Sequence, residues 1–210
     1  MEARAALPLT ARGQETRARL LAAAEKVFGE KNYFRVTIAD LTREAGVGQG
    51  TFYLYFPSKE AAFRELVQQR GHELRTVTRL ATSDAGDRPQ AERSGFAAFF
   101  DFIHQHRTLY RVVRQAEFVD PALFQEYYRV FAEGYSEALA AAMERGEIGR
   151  IDPEVLAYCL MGIGDFIGMR WVVWSPDPIS NDVFENVMRF IQYGLAGPDA
   201  HSDRGGGAAQ

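Results

Sequence analysis

Apolar residues recur three and four positions apart along almost the whole chain, and strand-like alternation is nearly absent. The pattern predicts an all-α protein of about nine helices. Residues 11–30 place Leu20, Leu21, Ala24, Val27 and Phe28 on one face and read as the first helix. Thr37 and Asp40, three residues apart, have the form of a capping box at the start of a short second helix. Ile38, Leu41 and Ala45 share one side of that helix, and Gly46 ends it where a positive φ fits. Gly48, Gln49, Gly50 and Thr51 open a third short helix that runs into Tyr53, Tyr55 and Phe56. Pro57 stops it, and Ser58 caps a fourth helix from Lys59 to about Leu80, with Ala62, Phe63, Leu66 and Val67 facing the small N-terminal unit. Two short helices across a tight turn make a helix-turn-helix, a unit whose second helix can enter a major groove.

A polar break over residues 82–89 precedes five more helices. The first spans about 90–106, with Phe96, Phe99, Phe100 and Ile103 as its apolar stripe, and a short one follows over 109–117. Pro121 suits the first turn of a long helix to Arg145. Asp152-Pro153 restarts the chain as a helix to about Trp174, and the last helix covers 180–195. The expected division is a head over 1–58, a linking helix over 59–80, and a larger helical unit over 81–197. The tail over 198–210 has nothing to bury and is expected to be disordered.

Net charge is -4, which at first argues against nucleic acid as a partner. Its distribution changes the picture. Residues 1–60 hold nine Lys and Arg against seven Asp and Glu, and the remainder holds 15 against 21. Phosphate binding needs local positive charge rather than a basic whole. The single cysteine, Cys159, rules out an internal disulfide framework and points to the reducing cytoplasm. It falls on an apolar face and reads as a buried small hydrophobe. The richest apolar stretch, Leu156 to Val173, contains Asp165 and Arg170, so no membrane partner is expected.

The residues Ile38, Ala39, Ala45, Gly46, Val47, Gly50, Thr51, Phe52, Tyr53, Tyr55, Phe56, Lys59 and Glu60 carry a specific resemblance. Turn, helix starts and aromatic positions agree in order with the N-terminal domain of the TetR family of transcriptional regulators. The larger C-terminal part resembles that family only in helix count and order. The resemblance implies double-stranded operator DNA as a partner, with Thr37, Gly48, Gln49, Thr51, Tyr53, Tyr55 and Lys59 at the interface. Their chemistry suits this. Gln49 offers an amide for an adenine edge, and Thr51 a methyl and a hydroxyl for thymine or phosphate. The tyrosine hydroxyls can meet phosphates, and Lys59 reads as a mobile phosphate partner. Gly48 departs from the family, where serine or threonine is frequent, and removes one side-chain cap.

One head presents a small surface, so a homodimer on a palindrome is implied. The resemblance assigns the interface to the last two long helices, through Leu160, Ile163, Gly164, Ile167, Phe184, Val187, Met188 and Ile191. It further implies a ligand-responsive regulator, by family default a repressor, released by a small hydrophobic or acyl-CoA-like effector. An activator, or a helical interaction module with a degenerate head, are the alternatives. Aromatic residues cluster between Phe96 and Trp174, and Phe99, Ile103, Tyr110, Arg111, Arg114, Tyr127, Phe131, Asp165, Phe166 and Trp171 are the candidate pocket residues. Asp165 lies in an apolar run, where an unpaired carboxylate is costly; it pairs with a base, binds a ligand or faces solvent. Arg107, Arg111 and Arg114 form a basic stripe, read either as a solvated face or as a seat for an anionic ligand head. No cofactor or metal is called for. His104 and His106 are two apart and face different ways on a helix, and no strand carries a phosphate loop, so catalysis is not expected.

Overall fold

The computed structural model describes residues 10–196, so the tail over 198–210 that is expected from sequence to be disordered lies outside the described residues. Within them the chain is all-α: α1 (Ala11–Lys31), α2 (Ile38–Ala45), α3 (Gln49–Tyr55), α4 (Lys59–Thr82), α5 (Arg88–Gln105), α6 (Arg107–Val119), α7 (Pro121–Glu144), α8 (Pro153–Gly168) and α9 (Asn181–Ala196). A 3-10 turn over Tyr33–Arg35 and a π turn over Met169–Val173, which directly continues α8, were not foreseen.

The helix starts follow from short polar caps. Thr10, Thr37, Ser58, Asp87, Asp120 and Asp152 each accept a backbone N–H of the first turn that follows them. Proline stands in the first turn of α5, α7 and α8, where its missing N–H costs nothing. Gly46 sits at φ 66°, and the Val47 N–H closes back on the Thr42 carbonyl at 2.9 Å, the closure of a Schellman motif. A side chain at this φ would be strained, which is why glycine marks the turn.

One core lies under the head. Phe28, Phe52, Phe56 and Phe63 are almost wholly buried there with Leu20, Leu41, Leu66 and Val67. That core does not stop at the expected boundary before Lys59. Val112 and Ala116 of α6 and Leu123 of α7 belong to it. Two hydrogen bonds tie α6 to the head: Gln115 Nε2 donates to the Phe28 carbonyl at 3.0 Å, and the Tyr33 N–H donates to Gln115 Oε1 at 2.6 Å. At Gly29 a Cβ would stand 1.9 Å from the Thr108 methyl, so only glycine permits this approach of α1 to α6.

A second core joins α5, α7, α8 and α9 through Phe96, Phe100, Leu139, Leu160, Met188 and Ile191. Gly164 and Gly168 let α8 close on α5, since a Cβ at each would meet Phe99 or Ile103 at 3.3 Å. The α8 segment with its π turn, Pro153–Val173, is long and apolar enough to cross a membrane by length and composition alone. One of its stripes is accounted for by this packing. A third, smaller cluster of Leu74, Phe102, Leu109 and Val113 stands between the two cores.

Candidate nucleic-acid interface and effector cavity

The head places α2 and α3 across the three-residue turn Gly46-Val47-Gly48. Phe52 points inward and is buried, which turns the opposite side of α3 to solvent. Gly48, Gln49 and Gly50 are exposed, Thr51 and Tyr55 are half-buried, and Tyr53 stands out at 55% exposure. Leu54, at 79% exposure, was missed by the sequence reading although it lies one helical turn after Gly50. Gly48 provides no side-chain cap, in line with the departure noted above. Thr37 is exposed at the start of α2, but its hydroxyl is engaged in the capping box, accepting from the Asp40 N–H at 3.2 Å and donating to Asp40 Oδ2 at 2.7 Å. Lys31 and the same capping contacts hold the Asp40 carboxyl well below the usual carboxylate range.

Lys59 requires a correction. It is not mobile. Its ammonium donates to the carbonyls of Tyr33 at 2.9 Å and Val36 at 2.8 Å, and stands 4.1 Å from the centre of the Tyr33 ring. Burial pulls its pKa down. Lys59 therefore straps the 3-10 turn that leads into α2.

The larger unit encloses a cavity of about 500 Å³, walled by α4, α5, α6, α7 and α8. Such a volume suits a drug-sized molecule. Of the residues expected there, Phe99, Ile103, Tyr110, Arg114, Tyr127, Phe131 and Asp165 line it. Asp165 is paired: it accepts from the Tyr110 hydroxyl at 2.6 Å and lies 3.4 Å from Arg114. Burial, with Asp165 beside it, pushes the Tyr110 phenol well above its ordinary value, so it remains a donor. At another wall, Arg88 donates from Nε to Glu92 at 2.7 Å, and the Tyr135 hydroxyl donates to the same carboxylate.

Three expected pocket residues lie elsewhere. Phe166 is 64% exposed on the outer side of α8. Trp171 lines a separate shallow hollow between α8 and α9. Arg111 points to solvent, so the basic stripe divides: Arg107 donates to the carbonyls of Ser175 and Pro176, Arg114 meets Asp165, and Arg111 serves neither. The three arginines share one face of α6 and differ in what their ends reach.

The proposed α8–α9 contact residues need correction in part. Leu160, Gly164, Met188 and Ile191 are buried inside the subunit, whereas Ile163, Ile167 and Val187 line the hollow between α8 and α9 beside Phe166 and Phe190, and Phe184 is half-buried. What these helices expose most is a different stripe: Val155, Tyr158, Phe166, Phe190 and Tyr193, with half-buried Gly162 between them and Cys159 exposed rather than buried. The apolar periodicity of α8 is strong on two faces, and the expected contact residues straddle both. The residues of α4 that line the cavity, among them His72, Arg75 and Arg79, were not singled out either, because a polar helix face reads as solvated.

Residues 20–80 match the family model of bacterial regulatory proteins, tetR family. Over most of its length the chain is 26% identical to the uncharacterized HTH-type transcriptional regulator YdgC of Bacillus subtilis, across 89% of this chain and 96% of that one. It is 28% identical to the HTH-type transcriptional activator FasR of Mycolicibacterium smegmatis, across 87% and 84%. The fold is that of the transcriptional regulator FadR from Bacillus subtilis, solved in complex with stearoyl-CoA, at a TM-score of 0.76 and 18% identity over 85% of this chain and 98% of that one.

Proposed function

The chain belongs to the tetR family of bacterial regulatory proteins, and we propose that it is a repressor that binds a palindromic operator as a homodimer and is released by a small hydrophobic or acyl-CoA-like effector. One observation carries this reading: the helix that bares Gln49, Tyr53 and Leu54 rests on a core that shares α4 and α6 with the walls of a large apolar cavity. A molecule filling the cavity acts on the same helices that orient the head. For release, it binds the form that does not fit DNA more tightly than the form that does.

Gln49, Gly50, Tyr53 and Leu54 face base edges, with Gly48 letting backbone come close, while Thr37, Thr51 and Tyr55 lie toward the phosphates. Lys59 acts on this surface by holding the turn before α2 rather than by reaching out. The dimer forms through the outer stripe of α8 and α9, around Phe166 and Phe190, where apolar rings otherwise face water. The stearoyl-CoA seated in a protein of this fold supports an acyl-CoA-like effector. The name of FasR keeps activation as the second reading.

The test is fluorescence anisotropy of the full protein with the intergenic DNA upstream of its own gene, with and without acyl-CoA thioesters. The expected result is binding that depends on Tyr53 and Gln49 and weakens when thioester is added. Failure of Gln49→Ala/Tyr53→Ala to weaken binding overturns the assignment of the reading helix. A reporter gene driven by the bound promoter gives the sign: expression rising in a deletion strain marks a repressor.

A further inference from the structure

The charged groups of the cavity do not balance. Each carboxylate in its wall already has a cation: Glu92 is held by Arg88, and Asp165 by Arg114 with the Tyr110 hydroxyl. Arg75 and Arg79, one turn apart on α4, line the same cavity, and their guanidinium groups make no ion pair or hydrogen bond among the described residues. Arg79 is exposed, while Arg75 is half-buried. Removing a guanidinium from water without a partner is costly.

The surroundings of Arg75 are built closely. At Gly71 a Cβ would lie 2.9 Å from the Tyr127 ring and 3.1 Å from an Arg75 terminal nitrogen, so glycine here lets the ring and the guanidinium share one spot on α4. Burial holds the Tyr127 phenol well above its ordinary value, although Arg75 pulls it the other way. Its hydroxyl thus stays protonated and has no partner among the described residues. Two unspent donors, one of them charged, stand side by side in a wall. Much of the remaining lining is apolar: Phe99, Phe102, Leu109, Val113 and Phe131.

We propose that the effector is an anionic amphiphile whose negative group is held inside the cavity by Arg75, with the Tyr127 hydroxyl donating to it and its apolar body lying over the Phe99–Phe131 side. This deepens the effector reading above and rests on it. A carboxylate and a phosphate oxygen satisfy the same donors. The anion is thereby bonded to α4, the helix that carries the head, and the neutral arginine–carboxylate pairs elsewhere in the cavity are left undisturbed.

The experiment is isothermal titration of the full protein with decanoate, decanol and decanoyl-CoA, each below its micellar concentration. On the natural protein, decanoate or its thioester is expected to bind at least tenfold tighter than decanol. Arg75→Gln brings the ratio to within about threefold by weakening the anion alone. Tyr127→Phe lowers it by a smaller factor, Arg75→Lys keeps most of it, and Arg111→Gln, outside the cavity, leaves it unchanged. An anion preference seen only with the thioester identifies phosphate as the group held; one seen with decanoate identifies carboxylate. Equal binding of acid, thioester and alcohol overturns the anion seat and leaves the effector cavity standing. A preference that survives Arg75→Gln overturns the role of Arg75. Binding of none of the three overturns the effector reading itself, and this inference with it.

Discussion

The two halves of this molecule use aromatic rings differently. In the head the rings fill space against one another: Phe28 meets Phe63 edge-on at 5.3 Å, Tyr33 meets Phe63 at 5.0 Å, and Phe52 lies 5.5 Å from Phe56. Around the cavity, Phe99, Tyr127 and Phe131 meet neighbouring rings too, those of Phe100, Tyr128 and Tyr135, but each also lines a cavity of about 500 Å³. The residue types are the same, and the difference lies in what each ring faces. A head that must present α3 in one orientation needs a closed core. On the proposed function, a half that receives an effector keeps some of its packing unmade until the effector binds.

The largest effect that separates the halves is in stability. Phe63→Ala, at a site with 0% exposure, is expected to cost about 3–5 kcal/mol, and Phe131→Ala on the cavity wall less than half of that. Urea denaturation of both variants checks this; equal losses would remove the distinction. Next in size is assembly. Phe166→Glu on the exposed stripe of α8 should give monomers by sedimentation and weaken operator binding by about 100-fold or more, since two linked heads become one. Met188→Ala, buried on the other side of the α8–α9 pair, should instead lower stability and leave the dimer in place.

A smaller effect lies where the halves meet. Gln115→Ala removes both hydrogen bonds from α6 to the head and is expected to cost about 1–3 kcal/mol. It should also reduce the response of DNA binding to effector, measured as the ratio of operator affinities with and without it. The smallest effect concerns acid. The Asp40 carboxyl is held below its unfolded value of about 3.9 by Lys31 and by the capping contacts of Thr37. Stability from this group is therefore present above pH 4 and is lost as pH falls through the lower, folded value. Asp40→Asn should destabilise the protein at neutral pH and flatten the acid limb of its stability curve, as read by thermal melts between pH 2 and 6.

The head was legible because its signals are local. Thr37 with Asp40, Gly46, and Ser58 before Lys59 act within four residues of themselves, and each does in the structure what its type predicts. Lys59 was misjudged because its partners, the carbonyls of Tyr33 and Val36, belong to a 3-10 turn and the residue that caps it, which carry no strong signature. In the larger half, helix existence was legible but facing was not. Two apolar stripes run along α8, and spacing alone does not say which is covered by α5 and which is left bare. Cys159 and Phe166 fall on the bare one. Arg75 carried no signal at all, since an arginine on a polar helix face looks the same whether water or a cavity lies beyond it.

Because Val112, Ala116 and Gln115 complete the head from a helix more than fifty positions downstream, the first 58 residues are not a detachable cassette. Anyone grafting this reading helix onto another sensor must carry the matching strip of α6 as well. Otherwise the transplant exposes Phe28 and its neighbours on one flank and loses the seat that aims Tyr53.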